Sequence, residues 1–258
     1  EMQRSLVGSE MCIRDRTNMN KMGLTLIYLW LVSLCSCQQE LIEYEKGDVK
    51  VCIEQGEQWL HDFPLFLGIN KKNPPQIAVW LEDTQGNYLS TVYVTHKIAT
   101  QSWQASGGNR RKEALPHWCY SRGVKYDDGL YLPTKKEPLT DGISGATPHG
   151  SFDIKLSPAI ALKTFVVKIE INHSTDFNEA FPKSAKEGEA NYSGGKEGSG
   201  QPAIVYAANV DLSAGKKSFE ANLVGHSSPN GSSGEVSKDT SGLTTALHIV
   251  KRITVIIQ

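Results

Sequence analysis

Residues 164–172 read TFVVKIEIN. Phe165, Val167, Ile169 and Ile171 take alternate positions, with Thr164, Lys168, Glu170 and Asn172 between them. A period of two puts successive side chains on opposite faces of a strand, so this segment has one apolar and one polar face. The pattern recurs outward in both directions. Phe152, Ile154 and Leu156 alternate. Val49, Val51 and Ile53 share a face opposite Asp48, Lys50 and Glu54. Ile77, Val79 and Leu81 alternate in QIAVWLED. The turn residues Gln85, Gly86 and Asn87 then lead into YLSTVYVT, so residues 76–95 read as a hairpin. Downstream, residues 202–210 and 217–225 are two further strand candidates. ALHIVKRITVII at the C-terminal end places Leu247, Ile249, Ile253, Val255 and Ile257 on one face, with Lys251 as the exception.

Seven or more short strands separated by Gly, Pro, Asn and Ser predict an all-β fold, an antiparallel β-sandwich of immunoglobulin-like class. The one helical stretch is residues 109–120, which Pro116 limits. Strands do not alternate with long helices, which argues against a doubly wound α/β fold. Residues 183–201, KSAKEGEANYSGGKEGSGQ, read as a solvated loop long enough to be functional or mobile. One domain over residues 48–258 accommodates all of these strands.

The chain has 258 residues, 39% of them hydrophobic and 21% charged, enough for a real core and unlike a disordered or collagen-like chain. A net charge of -1 supplies no field to attract nucleic acid, so no nucleic-acid partner is expected. Five cysteines are too few for a disulfide-built scaffold.

The first forty residues read as processing signals. Residues 1–18 contain SLVGSEMCIRD, which resembles translated sequencing-adapter read-through; a disordered N-terminus is the alternative. Lys21 and the apolar run Leu24–Leu34 have the form of a signal peptide over residues 19–36, too short for a membrane-spanning helix. Leu34-Cys35-Ser36-Cys37 resembles a bacterial lipobox with Cys37 as the lipidated residue, and ordinary cleavage is the alternative. Residues 37–47 are then a tether. The expected location is the bacterial periplasm or outer membrane, held by lipid. Cys52 and Cys119 remain as two separate thiols or a pair.

The sharpest local feature is Asp141-Gly142-Ile143-Ser144-Gly145-Ala146-Thr147. It fits D-x-x-[ST]-G-A-T, the pattern around covalently flavinylated threonines. Its five specified positions match by chance in about one chain in a thousand at average composition. On that resemblance a flavin transferase would place FMN on the Thr147 hydroxyl, with Asp141, Ser144, Gly145 and Ala146 as the recognition residues. The acceptor would sit on an exposed flexible segment, with no bulk from Gly145 and Ala146 beside it. The carriers that share the pattern are subunits of sodium-pumping quinone reductases, Rnf-type complexes and other extracytoplasmic electron carriers. A membrane redox partner would follow. The competing reading is a plain turn before the strand at Ser151, with Ser144 and Thr147 bonding local backbone.

AVWLEDTQGNYLSTVYVT, Trp103, the basic run 110–112, Leu115, Trp118 and DGISGATPHGSFDIKL together resemble the domain-of-unknown-function 2271 family of periplasmic proteins. The resemblance covers about residues 48–174. It implies association with flavin transferases and PepSY-type membrane proteins, but no reaction.

Other chemistry is weaker. His173 and Asp176, with Asn178 and Glu179, could bind metal, but their spacing matches no tight signature; a capped turn is the plainer reading. GHSSPNG lacks nucleophile-elbow spacing, and Cys119 beside His117 makes no catalytic pair by sequence adjacency. Trp80, Trp103 and Trp118 read as packing residues ahead of a glycan or heme platform. Arg110, Arg111 and Lys112 read as a solvated face. The sequence therefore leaves two functions open. One is an FMN-bearing electron carrier. The other is a non-catalytic sandwich that binds glycan, protein or metal through residues 101–120 and 172–201, or serves a structural role.

Overall fold

A computed structural model describes residues 40–43, 49–64, 70–103, 110–156 and 162–258. The expected leader, Cys37 and most of the tether lie outside the described residues; within the tether stretch, Glu40–Glu43 forms a strand, β1. The strand segments read from the sequence all carry strands: β2 (Val49–Gln55), β5 (Gln76–Glu82), β6 (Tyr88–Thr95), β8 (Phe152–Leu156), β9 (Thr164–Asn172), β10 (Ile204–Asp211) and β14 (Val250–Ile257). The hairpin β3 (His61–Pro64) and β4 (Asn70–Asn73), and the short strands β7 (Ile143–Gly145) and β13 (Val236–Ser237), carry no alternation that marks them in the sequence. The candidate at 217–225 divides into β11 (Ser218–Glu220) and β12 (Asn222–Ser227).

Two sheets pack face to face. One has the order β1-β8-β2-β14-β11, the other β13-β12-β10-β9-β5-β6-β7. Most pairings are antiparallel, so the fold is an all-β sandwich; the parallel ones are β1 on β8 and β7 on β6. Val51, Ile53, Phe152, Ile154 and Val255 from the first sheet meet Val79, Phe165, Val167, Ile169 and Ile171 from the second in one fully buried core. The alternation seen in the sequence is the pleat of these strands.

The larger sheet is covered on its outer face too. Helix α1 (His96–Thr100), helix α2 (Pro116–Ser121) and the segments around them lay Ile98, Trp103, Leu115, Trp118 and Leu132 over Ala78, Trp80 and Val94. Every residue of β5 is therefore buried. The tryptophans are packing residues, with Trp80 and Trp118 fully enclosed. Pro116 opens α2 at its first turn, where its missing N–H costs nothing, so in the described part of the expected stretch, residues 110–120, the helix begins at the proline; residue 109 lies outside the described residues. The polar side of β9 is also enclosed. Glu170 is fully buried and accepts the backbone N–H groups of His117 (3.2 Å) and Trp118 (2.8 Å) at the start of α2.

Two further expectations are corrected. Arg111 is not on a solvated face: it is buried, ion-paired to Glu113 at 2.9 Å and stacked on Trp103 at 4.7 Å. Its guanidinium also donates to Ser174 and Ser199. Residues 193–201 are not a free loop. Ser193, Ser199 and Gln201 are buried, and the backbone of 198–201 bonds to that of 175–176. Cys52 and Cys119 are free, the first on the outer face of the smaller sheet and the second buried in α2. Among the described residues no helix is long and apolar enough to cross a membrane.

Candidate functional site

The segment 141–147 runs along the rim of the larger sheet. Its centre is β7, paired parallel to β6 with Tyr93 opposite Ile143, Val94 opposite Ser144 and Thr95 opposite Gly145. Gly142 makes this approach possible, because a Cβ there would lie 2.8 Å from the Thr91 methyl. Asp141 is exposed and accepts the Tyr88 hydroxyl at 3.0 Å. Tyr88 shares a 2.6 Å contact with the Thr91 hydroxyl, which also accepts the Trp118 indole N–H at 3.0 Å. A chain of polar contacts thus links the outer core to the first residue of the motif. Burial pushes the Tyr88 phenol up to about 12, so it stays a neutral donor.

The other motif residues divide. Ser144 and Ala146 are exposed, and the Ser144 hydroxyl faces the His96 ring at 3.5 Å. The Gly145 carbonyl accepts the Tyr93 hydroxyl at 3.3 Å. Thr147 turns inward and is only 4% exposed. Its hydroxyl lies 2.7 Å from that of Thr95, which in turn accepts the Ile77 N–H at 2.9 Å. The next residue is pinned too, since the Trp59 indole N–H donates to the Pro148 carbonyl at 3.1 Å. The sequence reading placed the acceptor hydroxyl on an exposed flexible segment. In the fold the recognition residues Asp141, Ser144 and Ala146 are exposed, while the hydroxyl is enclosed and hydrogen-bonded. Thr95, Thr91, Tyr88 and His96, which hold the segment, all come from the β6–α1 stretch. Sequence spacing could not show this, because a parallel pairing across some fifty residues leaves no local signal.

Beside Asp141 lies an open groove of 390 Å³ lined by Arg122, Val124, Lys125, Tyr126 and Pro138. Arg122 stacks on Trp118 at 5.1 Å and approaches Asp141 at 3.8 Å.

His173 and Asp176 follow the end of β9 in the chain and serve hydrogen bonding. His173 donates through Nε2 to the Gln58 carbonyl at 2.8 Å, and its ring is 5.2 Å from that of His61. Burial lowers His173 to about 4, so it is neutral. Asp176 accepts the Thr245 hydroxyl at 2.6 Å, and burial raises its pKa. Among the described residues no three His, Cys, Asp or Glu side chains converge as a metal site. Burial pushes the Cys119 thiol far up, away from its reactive form.

Compared with known proteins, the chain matches no protein-family model, no curated protein and no solved structure at a significant level.

Proposed function

We propose that this protein is an electron carrier of the bacterial cell envelope, anchored by lipid at Cys37 and bearing FMN as a phosphoester on Thr147. The observation that carries the reading is the segment DGISGAT at the rim of the larger sheet, its centre forming the outermost strand β7, with Asp141, Ser144 and Ala146 exposed. In the attachment step the Thr147 oxygen bonds to the FMN phosphorus of FAD. The pyrophosphate bond breaks, AMP leaves and the hydroxyl proton departs, with no change in oxidation state. The flavin, once bound, supplies the electron chemistry, and the sandwich holds it at the rim of the sheet. A flavin transferase and a membrane redox protein are the implied partners.

The test is co-expression of the full chain with a flavin transferase in the periplasm. The expected result is a mass gain of one FMN and fluorescence that survives denaturation. Thr147→Ala should abolish both, and covalent flavin in that variant would overturn the site.

A second reading rests on the burial of Thr147. A threonine whose hydroxyl is already paired with Thr95 is a satisfied turn residue, as in a binding or structural module of the envelope. An unmodified mass beside a well-flavinylated control carrier would favour it.

A further inference from the structure

The flavin reading needs the Thr147 hydroxyl inside another enzyme's active site, whereas the fold encloses it against Thr95. The resolution lies in how β7 is held. It has three residues, pairs on one side only, and pairs in parallel. Its lateral side-chain contacts are few: Tyr88 to Asp141 at 3.0 Å, Tyr93 to the Gly145 carbonyl at 3.3 Å, Ser144 to His96 at 3.5 Å and Arg122 to Asp141 at 3.8 Å. Much of the approach to it, residues 135–138, is exposed, and Gly142, Gly145 and Gly150 supply backbone freedom within and beyond it. By contrast β9, at the centre of the same sheet, pairs on both sides along its length.

We propose that residues 141–147 act as a strap. The strap peels from β6 as a unit, and this opening turns Thr147 outward for modification. The inference rests on the flavin reading and adds its control: the rate of attachment is set by how often the strap is open. It also fixes the outcome. A 2.7 Å contact between two hydroxyl oxygens leaves no room for a phosphate. The strap therefore cannot reseat over an esterified Thr147, and modification leaves it open.

Two measurements on the full chain test this. The first is amide hydrogen exchange without any transferase. Residues 143–147 should exchange about a hundredfold faster than β9, as a locally opening unit does. Protection equal to that of β9 would overturn the strap. The second is the double variant Thr91→Cys/Gly142→Cys, which leaves every specified motif position intact and uses a site where a Cβ at 142 would lie 3.0 Å from that of Thr91, closed by oxidation or, where a direct disulfide does not form, by a short bis-maleimide. The disulfide form should take up FMN only after reduction, and the maleimide form not at all. Labelling of the closed form at the wild-type rate would likewise overturn the proposal. If neither the reduced variant nor the wild type takes up FMN while a control carrier does, the flavin reading fails. The exchange data then decide the strap alone. In the labelled protein the amides of 143–145 should remain unprotected, and their recovery of protection would count against it.

Discussion

At the residue scale, two buried titratable groups pull stability in opposite directions with pH. Burial raises Glu170 from 4.5 to about 7, even though it accepts two N–H groups from α2. The unfolded chain loses that proton first, so the contribution of Glu170 is full below pH 4.5 and is lost as pH rises toward 7. Burial lowers His173 from 6.5 to about 4. There the unfolded chain gains the proton first, so its contribution is full above pH 6.5 and is lost as pH falls toward 4. Each is worth on the order of 3 kcal/mol over its window. They nearly cancel between pH 4.5 and 6.5. Glu170→Gln should therefore make unfolding free energy climb with pH across that window, and His173→Gln should make it fall. Denaturant titrations at several pH values would show this, and unchanged slopes would refute the assignment. None of it was legible in TFVVKIEIN, where Glu170 sits on the polar side of the strand. Whether that side meets water depends on what α2 lays over it, and no local pattern records that.

At the scale of elements, the long alternating strands were readable and the short or interrupted ones were not. Lys251, the exception in the C-terminal pattern, sits where the β14–β2 register shifts between Val250 and Arg252. A bulge adds one residue to a strand, so side chains on either side of it still face the core. The candidate at 217–225 fails as one strand because the chain changes sheets at Ala221: β11 pairs with β14 and β12 with β10. The stretch 183–201 misled by its composition. Its glycines permit close contact: Gly200 has φ +79°, and a Cβ there would lie 2.3 Å from the Asp176 carbonyl. Gly200→Ala should cost about 2 kcal/mol or more, from left-handed backbone strain and this clash. It should also free residues 193–201 to limited proteolysis. Loss of stability without new cleavage would mean that the segment does not depend on that contact. The motif was legible as seven residues, but not its inward turn at Thr147, which is set by Thr95 and Trp59 far away in the chain.

At the scale of the whole fold, the larger sheet is shared by two cores, the inter-sheet core and the tryptophan-rich outer one. Trp118 joins them to the motif, since its indole N–H bonds Thr91 and its backbone N–H bonds Glu170. Trp118→Ala should cost about 3–5 kcal/mol, the range for a large buried aromatic. It should lower the midpoint of one unfolding transition, seen alike by fluorescence and circular dichroism. Two separated transitions would show that the outer layer folds independently. The perimeter has a consequence of its own. Among the described residues, the outermost strands of the two packed sheets, β1, β11, β13 and β7, have four, three, two and three residues, against five to nine for the strands between them. Two copies that meet edge to edge find only brief rows of free backbone donors and acceptors. Fibril growth by strand addition needs a longer template, so the native fold, even crowded at high local concentration, is a poor seed for amyloid.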